Sequence, residues 1–464
     1  GAPICRSDEE ALEELSEFCD CILSHNRKIR VRADDSVMDF YKNRPYMIRR
    51  SRGYAPLPIQ TSGKWEGQVL AVGGELKNTF CIGVDSRFYP SAYVGDLEDL
   101  RTVNALKETI QRMETLLEVE PSVVVCDMHP KYNSTVVAEE LGHPVLKVQH
   151  HYAHILSCMA ENDWMEQVIG VSFDGTGYGT DGTIWGGEIL LADYDSFTRW
   201  GCIEPFAQTG GDASAKEGWR IAVSLLGKIY GKENALLIIE TLGLCEPKLA
   251  KLQFTMEERG INTVQSTSAG RLFDAVSAIL DIRKSSTFEG EASTSLQFAA
   301  EKWLDAQKKK IAGSEDFAES GIITDYGELK SISDVAQKSV VEKNNSINRN
   351  IKADLYYLPT LSLVKEVAER KLAGENSNQL ALHFHRRLAG MIVSACEKAR
   401  EETGINTVAL SGGVYQNKLL LDYSVTMLEE RGFHVLRHHL LPPNDGGISL
   451  GQAVAAMRSL QKGE

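Results

Sequence analysis

Val148-Gln149-His150-His151-Tyr152-Ala153-His154 places three imidazoles within five residues, and an apolar run, Ile155-Leu156-Ser157-Cys158-Met159-Ala160, follows directly. If that run is helical, His150 and His154 stand at i and i+4, one above the other on one face. Neutral imidazole is a common ligand for zinc and iron, and a pair on adjacent turns can share one ion. The heptad also fits a plain helix start whose histidines cap, pack or face water. A two-histidine pair is incomplete as a metal site, so the choice depends on whether the rest of the chain supplies further ligands.

Upstream, Val145–Val148 reads as the strand that delivers the heptad. Before it come a short buried strand, Ser122–Cys126, ending at Asp127-Met128-His129-Pro130, and a helix over 133–141. Strand, helix and strand in alternation indicate an α/β architecture with the heptad at a strand's carboxyl end, where sites in such sheets lie. Downstream, the strand Val168–Phe173 runs into Asp174-Gly175-Thr176-Gly177-Tyr178-Gly179-Thr180-Asp181-Gly182, then Trp185-Gly186-Gly187-Glu188. This spacing predicts a tight loop whose amides cradle a phosphate while Asp174 reaches a cation. The alternative is a glycine-rich hairpin with an Asx-turn.

Similar turns recur along the chain. The strand Gln68–Val72 leads into Gly73-Gly74-Glu75-Leu76-Lys77-Asn78, where Lys77 and Asn78 suit phosphate contact. Strands follow at Cys81–Val84 and Phe88–Tyr93, then a long amphipathic helix, Leu97–Val119. Gly210-Gly211-Asp212 opens a helix near Lys216 and Glu217, and Ser268-Ala269-Gly270 opens another that carries Asp274. Helix N-termini suit nucleotide contacts, although a plain capped helix explains each one equally well. From 306 to 350 the composition turns polar, as expected of a peripheral insertion. A helix spans Ser377 to Glu402. The strand Thr407–Leu410 then meets Ser411-Gly412-Gly413-Val414-Tyr415-Gln416-Asn417, and a helix begins at Lys418. After the strand Phe433–Arg437, Pro442-Pro443-Asn444-Asp445-Gly446-Gly447 precedes the last helix. Asp445 is either that helix's N-cap or the distant carboxylate that the histidine pair lacks.

The chain has 464 residues, 43% hydrophobic and 25% charged, and a formal charge of −14. An acidic balance argues against general nucleic-acid affinity, and no apolar run has the length of a membrane span. Nine scattered cysteines without a Cys-x-x-Cys pair support no zinc ribbon and fit reduced thiols in a cytoplasmic setting. Near the start, a helix is expected over 8–24 with Leu12, Leu15, Phe18, Ile22 and Leu23 on one side. A basic island of two stretches, 25–37 and 47–56, follows. About sixty residues are too few for a robust domain, so this part reads as the tail of one.

Taken in order, Val-Gln-His-His-x-Ala-His, Asp-Gly-Thr-Gly-Tyr-Gly, Ser-Gly-Gly-Val-Tyr-Gln-Asn and Pro-Pro-Asn-Asp-Gly-Gly resemble the HypF family of carbamoyltransferases. That resemblance implies a two-lobed actin/Hsp70/sugar-kinase-like fold of ribonuclease-H-like lobes, with a first part over 61–165 and the remainder over 166–464. It also implies that residues 1–60 are the end of a preceding α/β YrdC-like domain. Function follows by the same resemblance. Carbamoyl phosphate and ATP would give carbamoyl-adenylate, whose carbamoyl group passes to the C-terminal cysteine of HypE during nickel–iron hydrogenase maturation. His150, His154, Asp174 and Asp445 would ligate a divalent metal (Zn or Fe, with Mn or Mg also open), and His150, His154 and Asp445 would be catalytic. The nucleotide would contact Lys77, Asn78, Gly175, Thr176, Gly177, Gly211, Asp212, Lys216, Glu217, Asp274, Gly412, Gly413 and Asn417. His151 is expected to be packed or hydrogen-bonded. Two departures stand out: Ser91-Ala92-Tyr93 where the family usually has Ser-Gln-His, and Glu217-Gly218-Trp219-Arg220 where it has Glu-Pro-Trp-Arg. The competing functions are a small-molecule O-carbamoyltransferase of the same fold and a non-catalytic ATP-binding module.

Overall fold

The computed structural model describes residues 4–312 and 355–463. A hairpin of β1 (Val37–Tyr41) and β2 (Arg44–Arg49) comes first. Its tyrosines enter the main core: Tyr46 donates from its hydroxyl to the Tyr415 carbonyl at 2.8 Å, and Tyr41 pairs with Asp422 at 3.1 Å.

The first lobe is built on β3 (Ile59–Gln60), β4 (Gln68–Ala71), β5 (Cys81–Val84), β6 (Arg87–Pro90), β7 (Val123–Asp127) and β8 (Val145–Val148). Their spatial order is β3-β6-β5-β4-β7-β8, with β4, β7 and β8 parallel. Side chains alternate between the faces, as a two-residue period requires. Val69, Ala71 and Val125 join one core, while Leu70, Val124 and Cys126 join another that is covered by the helix Leu100–Leu117. The expected division after residue 60 falls directly behind β3, which pairs with β6 and so belongs with the first lobe's sheet.

The second lobe carries β9 (Val168–Tyr178), β10 (Ile184–Ala192), β11 (Phe197–Ile203), β12 (Phe206–Thr209), β13 (Thr263–Ser266), β14 (Tyr356–Leu358), β15 (Thr407–Ser411) and β16 (His434–Leu436). The path is β12-β13-β10-β9-β15-β16, with β11 and β14 branching from β10. Ile169, Val171 and Phe173 of β9 face the helices Gly218–Tyr230, Ala269–Ile279, Ser377–Thr403 and Lys418–Glu430.

Two helices join the lobes: the histidine helix, His150–Glu161, and the C-terminal helix, Ile448–Lys462. Every residue from His150 to Ala160 is buried. Burying Ile155, Leu156 and Met159, at about 1.5–3 kcal/mol each, offsets the cost of taking three imidazoles out of water. Both helices pack in one core with Val69 and Val125 of the first sheet and Leu190 and Ala409 of the second.

Three local expectations need correction. The N-terminal helix stops at Leu15 and buries none of its residues, and Leu12, Phe18 and Leu23 are exposed. An apolar stripe with nothing to pack on does not sustain a short helix. The Gly-rich run after Asp174 is the hairpin of the alternative reading: β9 continues to Tyr178 and pairs with β10 through Gly177 and Trp185, and in the turn Asp181 accepts from the Thr183 N–H at 3.0 Å. Residues 306–312 of the expected insertion complete the helix Glu291–Ala312, and 313–350 lie outside the described residues. Among the described residues no helix is long and apolar enough to cross a membrane, and all nine cysteines are free thiols.

Candidate functional site

The carboxyl ends of β7 and β8, the middle of β9 at Asp174 and the turn before the C-terminal helix meet at one point. Gln149 caps the histidine helix, its side-chain oxygen accepting from the Tyr152 N–H at 2.9 Å. That cap sets the first turn so that His150 and His154 face the same cavity. His150 Nε2 lies 3.2 Å from Asp174 Oδ2 and 3.8 Å from Asp445 Oδ1. His154 Nε2 lies 3.6 Å from Asp174 Oδ2 and 3.8 Å from Asp445 Oδ1. One ligand atom from each of the four residues lies within 4.8 Å of the others. The two readings of Asp445 are separated here. Asp445 does not cap the last helix, whose N-cap is Gly447 with no side-chain bond; Asn444 caps the short turn Asp445–Gly447, accepting from the Gly446 N–H at 3.0 Å, and the Asp445 carboxylate faces the histidines.

The electrostatics suit a cation. Burial, reinforced by the Asp174 charge, pushes the Asp445 carboxyl up to about 7 against the opposing pull of His150. Burial also disfavours the Asp174 charge, but the hydrogen bond with His150 and the nearby His154 imidazole outweigh it and hold that carboxyl well below its usual range. Burial pulls His154 down, and its Nε2 is buried without a hydrogen-bond partner among the described residues. For His150, burial is overcome by hydrogen bonds to Asp127 and Asp174, which raise it well above its ordinary value. Two carboxylates and two imidazoles crowded out of water, one with an orphaned nitrogen, form a donor set that fits Zn, Fe or Mn.

Other expected residues divide by location. Lys77 lies at the rim, where the charges of Asp445 and Asp174 act on it, and pairs across the cleft with Glu289 of the second lobe. Thr176 is exposed beside Gly175. Gly177 is needed for its missing side chain: a Cβ there would sit 2.4 Å from His151 Cε1 and 2.8 Å from His150 Cδ2. His151 is fully buried, with Nδ1 3.3 Å from Gln149 Nε2, and its imidazole is pulled well down by burial and by His150.

Asn78 and Asn417 make framework hydrogen bonds. Asn78 donates to the carbonyls of Val72 and Gly74. Asn417 accepts from the N–H groups of Leu419 and Leu420 and contacts His385. Asp274 is buried against Arg271 at 2.7 Å, and Glu217 pairs with Arg220. Gly211, Asp212 and Lys216 lie on and around the short helix Ala213–Lys216, with Asp212 and Lys216 exposed. The Gly413 amide donates to Asp174.

Sequence reasoning missed Asp127, whose Oδ2 lies 2.8 Å from His150 Nδ1. The available signal was its place at the carboxyl end of the strand beside the one that delivers the histidines. Also missed was a buried chain of Ser411, His438 and Glu161, linked at 2.9 and 2.7 Å.

Two family models match in tandem. Residues 64–161 match "HypF Kae1-like domain", and residues 170–329 and 328–452 match "Carbamoyltransferase, Kae1-like Domain, second subdomain". Fold and cluster together thus define a two-lobed α/β protein of the Kae1-like carbamoyltransferase class. The chain is 34% identical over 98% of its length to the probable carbamoyltransferase HypF of Methanocaldococcus jannaschii, spanning 55% of that protein. It is 31% identical over 86% of its length to a HypF homolog of Cupriavidus necator, spanning 93% of it. A crystal structure of full-length HypF in a phosphate- and nucleotide-bound form superposes with a TM-score of 0.84 at 36% identity, covering 99% of this chain and 66% of that one. The HypF structure from T. kodakarensis gives 0.82 at 30% identity, covering 100% and 56%. The chain belongs to the HypF carbamoyltransferase family, and it spans about half the length of most of the relatives it matches.

Proposed function

We propose that this chain transfers the carbamoyl group of carbamoyl-adenylate to the C-terminal cysteine of HypE, in the cytoplasm, for the cyanide ligands of nickel–iron hydrogenase. The observation that carries this reading is the convergence of His150, His154, Asp174 and Asp445 on one cavity at the junction of the lobes, in a chain of the HypF family. A nucleotide-bound relative supports an adenylate in the cleft. His150 and His154, through Nε2, and the carboxylates of Asp174 and Asp445 would hold a divalent cation, which supplies charge for phosphate oxygens and polarises a carbamoyl carbonyl as a Lewis acid.

The chain's own residues orient the reactants. Lys77 supplies a positive charge at the rim for the adenylate phosphate, and the Gly413 N–H fixes the direction of Asp174. Within that frame the acceptor thiolate attacks the carbamoyl carbon. A C–S bond forms, the bond from that carbon to the phosphate oxygen breaks, and AMP leaves with the electron pair. No side-chain nucleophile is required.

The test is incubation of the metal-loaded full chain with synthetic carbamoyl-adenylate and HypE, followed by mass analysis of the HypE tail. A carbamoylated terminal cysteine, lost in Asp445→Ala, is expected. An unmodified tail alongside carbamoylation of a small hydroxylated acceptor would overturn the choice of substrate.

A further inference from the structure

We infer that Asp127 is a positioning residue that fixes which nitrogen of His150 faces the cavity. This rests on the metal-site reading above and adds a residue to it. Asp127 ends β7, and β7 pairs in parallel with β8 so that Asp127 lies opposite Val148. Two residues beyond Val148, His150 turns back over that strand end. Asp127 and His150 are both fully buried, and no solvent competes for their contact.

Each oxygen of Asp127 has one partner. Oδ1 accepts from the His129 N–H at 2.8 Å, and Oδ2 lies 2.8 Å from His150 Nδ1. A carboxylate oxygen facing a ring nitrogen accepts, so the proton lies on Nδ1. Nε2 faces Asp174 Oδ2 at the longer 3.2 Å, so it is the nitrogen that gives up its proton and offers a lone pair when a cation takes the point shared by His154, Asp174 and Asp445. A partner on one ring nitrogen decides the role of the other.

The two-oxygen anchoring makes this specific. In Asp127→Asn the fixed N–H of His129 keeps the amide oxygen on its own side. The amide NH2 is then the group that faces His150 Nδ1, which must become the acceptor. The ring proton moves to Nε2 and points into the cavity, where it excludes a cation. Asp127→Ala removes the orienting partner without imposing the wrong tautomer. The near-isosteric variant is therefore the more damaging of the two for metal binding, an order opposite to that of a role in packing alone.

The test measures zinc affinity of the full chain by chelator competition, for wild type and both variants, together with nitrogen NMR of histidine-labelled protein. The His150 signals are assigned by their loss in His150→Gln. Asp127→Ala is expected to weaken zinc about 10–100-fold and Asp127→Asn by more, with a protonated Nδ1 in wild type and an unprotonated Nδ1 in Asp127→Asn. Equal zinc affinity in all three proteins, or Ala weaker than Asn, overturns the inference. If wild type takes up no zinc, the metal reading fails by itself, and the Nδ1 proton still decides the role of Asp127. An unprotonated Nδ1 in wild type sinks it even if Asp127→Asn does not fold.

Discussion

The Gly413 N–H donates to Asp174 Oδ1 at 2.8 Å, linking groups 239 positions apart in sequence. The Ser411-Gly412-Gly413 turn thus aims a carboxylate at the histidine pair, because β15 runs parallel to β9 and ends at Ser411 opposite Ser172, two residues before Asp174.

Gly412 tests that linkage. It holds φ +98°, and a Cβ there would sit 2.2 Å from the Phe173 carbonyl oxygen. A left-handed backbone costs an L-residue roughly 1–2 kcal/mol, and overpacking adds about 1–3. Gly412→Ala is expected to lower stability by about 2–5 kcal/mol in denaturant titration and to release Asp174 from its direction. Bound metal, measured by elemental analysis of the folded fraction, should fall with it. Full metal content and unchanged stability would show that the turn does not hold Asp174.

Gly177 separates two roles for the glycine-rich stretch. If its amides served a phosphate, a methyl group pointing the other way would be tolerated. Instead a Cβ would press on the rings of His150 and His151. Gly177→Ala is expected to cost about 1–3 kcal/mol in thermal unfolding and to weaken zinc binding, while Gly175→Ala, which meets nothing within 4 Å, leaves both unchanged. Equal behaviour of the two variants would return Gly177 to the backbone role first expected of it.

The contrast between these glycines shows what was legible in the sequence. Short apolar runs leading into glycine-rich turns, such as Gln68–Val72 and Val168–Phe173, marked strands, because a strand covered on both faces is apolar throughout. Residues 148–154 marked the site, because a capped helix start fixes where positions i and i+4 point. A glycine, in contrast, does not disclose whether it is there for a turn, for φ, or for a neighbour's ring. Gly177 and Gly412 needed the partner across the sheet to be identified. Asn78 and Asn417 are ambiguous for the same reason, since an amide beside Gly-Gly suits a phosphate or its own backbone equally well. Asp127 stayed hidden because its relation to His150 runs through the pairing of β7 with β8, a register that one strand's sequence does not contain.

Glu161 gives a pH-dependent prediction away from the cluster. Burial opposes its ionisation, but the hydrogen bond from His438 and the N–H groups of His439 and Leu440 outweigh that and lower its carboxyl from the ordinary 4.5. A carboxyl lower in the folded state than in the unfolded one adds stability above the unfolded value and loses it as pH falls through the folded one. Acid titration of wild type should therefore show stability lost below about pH 4.5. Glu161→Gln should cost about 1–3 kcal/mol at neutral pH, as for buried hydrogen-bonding groups left without their partner, and flatten that acid limb. An unaltered acid limb in the variant would remove Glu161 from the account.

Asp445 has the opposite sign, and a cation should cancel it. Its carboxyl, raised to about 7 in the folded chain from an ordinary 3.8, holds a proton that the unfolded chain has already lost. Between those two values the folded state binds more protons than the unfolded one, so stability falls as pH rises. Chelator-treated protein is therefore expected to lose stability from about pH 4 toward pH 7 through this group, and Asp445→Asn should remove that slope. With zinc bound, the carboxylate is neutralised by the ion, the slope should vanish and the neutral-pH melting temperature should rise. Two denaturation series against pH, one with chelator and one with zinc, decide the matter. Parallel curves would mean that Asp445 carries no uncompensated charge in the folded chain and that the cluster does not answer to a cation.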